Sequence, residues 1–217
     1  MLAVFAGGRS VIGDGGHQTG LRKRRRDVIL LTPDGVQDDD VVDRRHHGGP
    51  DRAVNCYASE HYATLRRDFP LAAESLQAGS VGENLALEGL QDGDVHIGDR
   101  WRIGAALVEV SQPRSPCWKL NARFTIDGFS LAIQDRRATG WYLRVLEAGE
   151  VRPFDTLVLE QRVDGSPTLV RFWDLTLAEQ PDLAALAGLA AQPGLSPDWQ
   201  QRLAQRVAWL QANRPLA

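Results

Sequence analysis

The pattern of apolar residues in this 217-residue chain changes near residue 165, and this change constrains the fold more than any other feature. Before it, apolar residues come in short alternating runs, such as Trp101 to Val110 and residues 154–163, which are typical of β-strands. After it, they recur at helical spacing. We therefore predict a mostly β domain with some α-helix over residues 1–165, followed by a small helical unit over residues 166–217.

Capping residues and spacing predict where the helices begin. Thr176 and Glu179 are spaced as a capping box, and Ser196 precedes a proline and an acidic residue, as at a helix start. The predicted helices run from Ser59 to about residue 68, from Ser130 to Leu146 with a break at Gly140, from Thr176 to about Ala190, and from Ser196 onward.

Composition excludes several classes of protein. Apolar residues make up 43% and charged residues 24%, which is typical of a globular protein with a buried core. The net charge of −3 argues against a nucleic-acid polymer as partner. The first 20 residues lack a signal-peptide pattern, and no apolar run approaches the roughly 20 residues that span a bilayer. We expect a cytoplasmic protein that does not bind a membrane.

Charge is concentrated in a basic run from Arg22 to Arg26 and an acidic run from Asp38 to Asp40. Such runs are usually solvated loops. The basic run could instead receive a phosphorylated ligand, and this alternative stays open.

The segment around Cys117 is the strongest indication of a functional site. Its thiol lies between Pro113 and Pro116 and beside the cations Arg114 and Lys119. Nearby positive charge favours the thiolate, and the prolines favour a stiff turn over a helix. The alternative is a buried, inert cysteine. We interpret the second cysteine, Cys56, as such a buried packing residue. Two cysteines are too few for a disulfide scaffold.

Five short stretches together are similar to a known family. They are His47 to Ala53, Gly82 to Leu85, Ile97 to Asp99, Ser111 to Leu120, and Gly140-Trp141. In this order they resemble the MOSC domain family, named from the C-terminal domain of molybdenum cofactor sulfurase, and within it the YiiM-like bacterial subgroup. The resemblance implies a β-barrel core followed by a three-helix unit.

The resemblance also implies a cofactor and a reaction. The cofactor is molybdenum cofactor (Mo-molybdopterin), a phosphorylated pterin that carries molybdenum on a dithiolene. Family members reduce N-hydroxylated compounds by cleaving the N–O bond, and the YiiM-like group is associated with detoxification of base analogues such as hydroxylaminopurine. Two cysteines cannot hold a four-cysteine iron–sulfur cluster, so electrons would come from a separate reductase.

Residue roles follow from the matched motifs. Cys117 corresponds to the family's molybdenum ligand, and His47 is the second candidate catalytic residue, as a neutral donor or as a protonated acid. Arg114 and Lys119 are candidates for the anionic part of the cofactor. The candidate cofactor-binding residues are Arg114, Lys119, Glu83, Asn84, Ser111, Gln112 and Trp141.

Most of these residues also have a structural interpretation. Arg114 or Lys119 could meet a surface carboxylate, and His47 could bond the turn backbone. Asn84 could only shape its turn, and Trp141 could be a core residue. Asp99 is predicted to be a turn residue and His46 to face solvent. A zinc site is not expected, because no Cys-x-x-Cys or His-x-x-x-His pair is present.

Two classes of function remain after this comparison. The first is a molybdenum cofactor-dependent reductase, and the second is a non-catalytic cofactor carrier or a sulfur carrier that holds a persulfide on Cys117. They differ in whether Cys117 binds metal or sulfur. If the chain self-associates, a homodimer is the expected form.

Overall fold

The computed structural model describes residues 3–13, 15–43 and 47–213. The strands are β1 (Ala3–Ala6), β2 (Ser10–Ile12), β3 (His17–Thr19), β4 (Arg24–Arg26), β5 (Ile29–Thr32), β6 (Gly35–Val36), β7 (Val54–Ala58), β8 (Leu85–Leu87), β9 (Arg100–Ile103), β10 (Ala106–Pro113), β11 (Trp141–Glu147), β12 (Gly149–Val151) and β13 (Leu157–Gln161). The α-helices are α1 (His61–Asp68), α2 (Lys119–Phe124), α3 (Phe129–Asp135), α4 (Leu169–Leu177), α5 (Leu183–Ala190) and α6 (Pro197–Ala212). Two 3-10 helices cover Pro50–Arg52 and Pro70–Ser75.

The main sheet has eight strands in the order β13-β9-β10-β11-β7-β8-β1-β4. All neighbours are antiparallel except β7 and β8, which are parallel. The sheet curls into a half-barrel, and the strands β12-β5-β6 and β2-β3 form two smaller sheets. The predicted class, a mostly β MOSC-type core with a helical unit after it, is confirmed.

The pairing of β10 with β11 positions the cysteine segment. Gln112 lies opposite Tyr142 and Pro113 opposite Trp141, and the register shifts between Val110 and Gln112. The end of β10 is therefore fixed against the start of β11, and the chain leaves the sheet there into a loop that carries Cys117. A rigid strand pair thus holds the base of a loop, which is a common arrangement for functional sites.

One hydrophobic cluster joins the sheet to the last three helices. It contains Val108 and Leu143 from the sheet together with Phe172, Leu186 and Leu203 from α4, α5 and α6. Burying these apolar side chains is the main force that holds the helices on the sheet. The predicted domain boundary after residue 165 stays a prediction.

Two predicted elements differ from the structure because a turn interrupts each. Trp101 to Val110 was predicted as one strand, but β9 and β10 form a hairpin that turns at Gly104, which has a φ of 55°. Ser130 to Leu146 was predicted to be helical, but α3 ends at Asp135 and the chain continues as β11. The β-branched and aromatic residues after Gly140 favour the strand.

The helix starts are partly as predicted. The last helix begins at Pro197 after Ser196, as predicted. The capping-box prediction is wrong, because Thr176 lies in the last turn of α4 and Asp182 caps α5 through its carboxylate. The helix predicted from Ser59 begins at His61 instead. The run 154–163 contains β13, as predicted.

No helix among the described residues combines the length and the apolar composition needed to cross a membrane.

Candidate functional site

Two adjoining cavities lie beside the loop that follows β10. We call them the inner cavity, of about 80 Å³, and the outer cavity, of about 450 Å³. Because they share part of their lining, they adjoin along the loop that carries Cys117. The shared residues are Asp43, His47, Arg52, Ser115, Cys117, Lys119 and Tyr142.

Cys117 lies at the point where the loop turns into α2. Its carbonyl accepts a hydrogen bond of 3.0 Å from the Leu120 N–H, so the residue is held by the first turn of the helix. Its thiol is free and partly exposed. The prediction that Cys117 lies on a loop between β10 and the next element is confirmed. The other cysteine, Cys56, is fully buried in the core, as interpreted from the sequence.

Arg114 brings a buried positive charge to the inner cavity. The side chain is only 4% exposed, and its Nη2 donates to the Val81 carbonyl at 2.7 Å. Among the residues that the structure describes, no carboxylate lies within ion-pair distance of it. A buried guanidinium without a carboxylate partner is costly unless an anion binds to it. The inner cavity is therefore a candidate anion site.

Lys23 is a second buried cation in the same cavity, and it belongs to the run that was predicted to be a solvated loop. It forms an ion pair with Asp39, and both side chains are under a tenth exposed. Burial lowers the pKa of Lys23, while Asp39 acts in the opposite direction. The other residues of the run, Arg22 and the edge strand β4, are exposed as predicted, so Lys23 is the member of the run that turns inward.

Two amide oxygens in the cavity walls are buried and have no hydrogen-bond partner within the described part of the chain. They are Asn55 Oδ1 in the inner cavity and Gln112 Oε1 in the outer cavity. Asn84 also lines the inner cavity, but its amide is already engaged. It accepts from the Asn55 N–H at 3.0 Å and donates to Phe5 O at 3.2 Å and to Asp39 Oδ2 at 2.9 Å. A ligand N–H would thus satisfy Asn55 and Gln112 more readily than Asn84.

His47 lines both cavities. Burial lowers its pKa from 6.5 to about 4, and the cations Arg114, Lys119 and Arg52 contribute, while Asp43 opposes the shift. The imidazole is therefore neutral near pH 7, which favours the predicted donor role over the predicted acid role. His46 lies outside the described residues.

This shifted pKa predicts a pH dependence of stability. Between about pH 6.5 and about pH 4 the unfolded chain takes up a proton at His47 that the folded chain does not. The free energy of unfolding should therefore fall as the pH is lowered through this range. In the His47→Gln variant this free energy should fall less steeply, because the titrating imidazole is absent. Urea unfolding at several pH values measures both slopes, and equal slopes would contradict the assignment.

Glu83, Ser111 and Trp141 do not line either cavity, although they were predicted to bind the cofactor. For Ser111 and Trp141, which lie in strands, the reason is that side chains alternate between the two faces of an extended chain. Tyr142 lines both cavities while its neighbour Trp141 points into the core, and Gln112 lines the outer cavity while Ser111 is bonded to the backbone behind it.

Glu83 is a buried support beneath the site. Its Oε1 accepts from the Tyr62 hydroxyl at 2.7 Å and from the Gly79 N–H at 2.6 Å. Burial raises the pKa of its carboxyl, against these two hydrogen bonds. Asp99 is a turn residue, as predicted, with its carboxylate bonded to the His96 N–H and to Arg162.

Several lining residues were not found from the sequence. They are Lys23, Asp39, Asn55, Tyr142, Trp118, Trp199 and Arg202. Tyr142 carried a usable signal, because it is adjacent to Trp141 in a strand. Lys23 and Trp199 carried none, since they reach the site only through tertiary packing.

The MOSC domain model matches residues 43–158, which is more than half of the chain. The chain belongs to the MOSC domain family. Within this family it is 36% identical to protein YiiM of Escherichia coli over 82% of this chain and 79% of that protein. The crystal structure of YiiM from Geobacillus stearothermophilus superposes with a TM-score of 0.80 at 29% identity, covering 95% of this chain and 97% of the other.

Another protein with a similar sequence is much longer than this chain. It is a protein of Gibberella moniliformis named "Reductase", 41% identical over 54% of this chain but only 21% of its own length. Because the family is that of the molybdenum cofactor sulfurase C-terminal domain, membership associates this chain with molybdenum cofactor.

Proposed function

We propose that this protein binds molybdenum cofactor and reduces N-hydroxylated small molecules, with Cys117 as the molybdenum ligand. The observation that carries the proposal is that a free thiol lines one cavity with a buried guanidinium that has no carboxylate partner among the described residues. A cofactor with a soft metal at one end and a phosphate at the other fits this pair. The resemblance to the YiiM-like subgroup supports the same assignment.

The polar atoms of the cavity walls fit the rest of the cofactor. Arg114 and Lys119 supply positive charge for a phosphate, whereas the charge of Lys23 is already paired with Asp39. The unpartnered oxygens of Asn55 and Gln112 can accept hydrogen bonds from the N–H groups of a pterin. The described residues therefore fit the group.

The other predicted residues support the cavity walls through contacts with their neighbours, and Asn84 also lines the inner cavity itself. Asn84 holds Asp39 in place, Ser111 fixes the backbone of the Pro50–Arg52 helix, and Glu83 supports the turn around Gly79. Trp141 packs in the core beneath Tyr142. We propose that these four position the residues that contact the ligand.

The reaction consumes two electrons and two protons. A hydroxylamine R–NHOH becomes R–NH₂ and water as the N–O bond breaks, and a separate reductase supplies the electrons. When bound, the cofactor supplies the two-electron chemistry. The chain's own contribution is to hold the ligand and to keep a neutral imidazole at His47, which donates one N–H toward the site and leaves the other nitrogen free to accept. A cytoplasmic location and detoxification of base analogues such as hydroxylaminopurine are part of this proposal.

The test is cofactor content in a host that makes molybdenum cofactor. We expect near-stoichiometric molybdenum and pterin in the wild type and loss of molybdenum in Cys117→Ser. Cys56→Ala is the matched control, because it removes the other thiol from the core and should keep the metal. Reduction of hydroxylaminopurine with an artificial electron donor should follow the molybdenum content.

Other outcomes would contradict the proposal in different ways. A folded wild type with neither molybdenum nor pterin would exclude the reductase. If the wild type then carried sulfur on Cys117 that a reductant releases, the sulfur-carrier alternative would be correct. Cofactor bound without any reduction of N-hydroxylated compounds would indicate a cofactor carrier.

A further inference from the structure

The outer cavity has walls that the inner cavity lacks. Trp118, from the loop before α2, and Trp199 and Arg202, from α6, line the outer cavity and not the inner one. Trp199 and Arg202 also line a separate cavity of about 290 Å³, together with Leu203 and Arg206 of the same helix. Two indole rings from distant parts of the chain thus meet one cavity of about 450 Å³. This volume is within the range of small-molecule sites, and aromatic walls favour flat ligands.

Trp199 is held firmly by the core behind it. Its ring makes edge-to-face contacts with Phe172 at 4.9 Å and with Trp173 at 5.9 Å between centroids, and both partners are buried. The guanidinium of Arg202 lies over one face of the Trp199 ring, 5.7 Å from its centroid, so a stacked ligand has to use the opposite face. The indole is therefore preorganised, and a ligand that stacks on it does not have to order it first.

The first turn of α6 is fixed to the wall that carries the family motifs. Asp198 accepts from Arg52 Nη2 at 3.0 Å and pairs with Arg202 at 3.1 Å. The Ser196 N–H donates to the Ser111 carbonyl at 2.9 Å. The helix that presents Trp199 is thus tied both to the loop before β7 and to β10.

We propose that Trp199 is the specificity-determining residue of the outer cavity, where its indole stacks on the flat ring of the substrate. The proposal rests on the proposed function and makes α6 part of the active site. Cys117 lines both cavities, so a molecule in the outer cavity lies beside this residue. Flat heteroaromatic N-hydroxylated compounds are then preferred over small non-aromatic ones such as hydroxyurea.

Binding of adenine tests this role without turnover, because adenine is flat but has no N–O bond. Equilibrium dialysis with the protein as purified should give a Kd about tenfold higher for Trp199→Leu than for the wild type. Trp199→Phe should recover part of the loss, since it restores an aromatic face. Trp209→Leu is the matched control, because Trp209 lies on the same helix, is 63% exposed and lines neither cavity.

Kinetics and cofactor content complete the test. Trp199→Leu should raise KM for hydroxylaminopurine about tenfold and leave KM for hydroxyurea and the molybdenum and pterin contents unchanged. Equal effects on both substrates, a loss of pterin in Trp199→Leu, or unchanged adenine binding would overturn the proposal. A wild type without molybdenum that still binds adenine through Trp199 would contradict the proposed function. It would still support the role of Trp199 in stacking on a flat ring.

Discussion

Replacing Arg114 by methionine is expected to lower the affinity for molybdenum cofactor by about 100-fold or more. The residue is 4% exposed, and although its charge acts on the buried Glu83 carboxyl, no carboxylate among the described residues forms an ion pair with it. A hydrogen bond to a charged group contributes about 1.5–3 kcal/mol, and a guanidinium can offer two to a phosphate. Methionine keeps most of the volume and removes both.

The measurement is the pterin and molybdenum content per protein after purification. Arg136→Met is the matched control, because Arg136 is a surface residue paired with Asp68 and lines neither cavity. It should retain both components. Circular dichroism should show that Arg114→Met is folded, since the substitution removes a buried charge from the cavity wall. A folded Arg114→Met with full pterin content would remove Arg114 from the anion site.

Gly140→Ala is expected to destabilise the fold by about 3 kcal/mol or more. Gly140 has a φ of 72°, and a Cβ there would lie 2.3 Å from the Cys56 carbonyl oxygen and 2.9 Å from Tyr57 Cδ2. Its carbonyl also accepts from the Arg114 N–H at 2.9 Å. The added methyl group would push β11 away from β7 at the point that positions Arg114.

The control for this substitution separates backbone strain from steric clash. Gly128 has a similar φ of 75°, but a Cβ there meets no atom within 4 Å. Gly128→Ala should therefore cost only the left-handed backbone conformation, about 1 kcal/mol. Urea unfolding of both variants gives the two free energies. Equal losses of unfolding free energy in the two variants would mean that the contact with the Cys56 carbonyl does not add to the cost of a side chain at position 140.

The alternation of extended segments explains which site residues could be predicted. Motif matching found the right segments but took in neighbouring positions, so Trp141 was included where Tyr142 lines the cavity. Ser111 was included beside Gln112 for the same reason. Because adjacent side chains in a strand face opposite sides, the register of a single strand would have separated them.

The remaining part of the site depends on long-range packing, which one sequence does not reveal. Lys23 was indistinguishable from its basic neighbours, yet the fold turns it inward to meet Asp39. Trp199 lies on the apolar face of the last helix with Leu203 and packs against the core. Trp199 also lines the outer cavity, and no local sequence pattern indicates that a residue that packs in the core lines a cavity as well.

The distribution of the cavity walls along the chain limits how this domain can be divided. The family model covers residues 43–158, which include Cys117 and Arg114. Lys23 and Asp39 precede that range, and Trp199 follows it. A truncated protein or a gene fusion that retained only the matched region would keep the thiol but lose part of the wall on either side of it. The part of the chain that builds the complete cavities is therefore longer than the part that matches the family model. We expect a fragment of residues 43–158 alone to lose the ligand binding proposed for the whole chain.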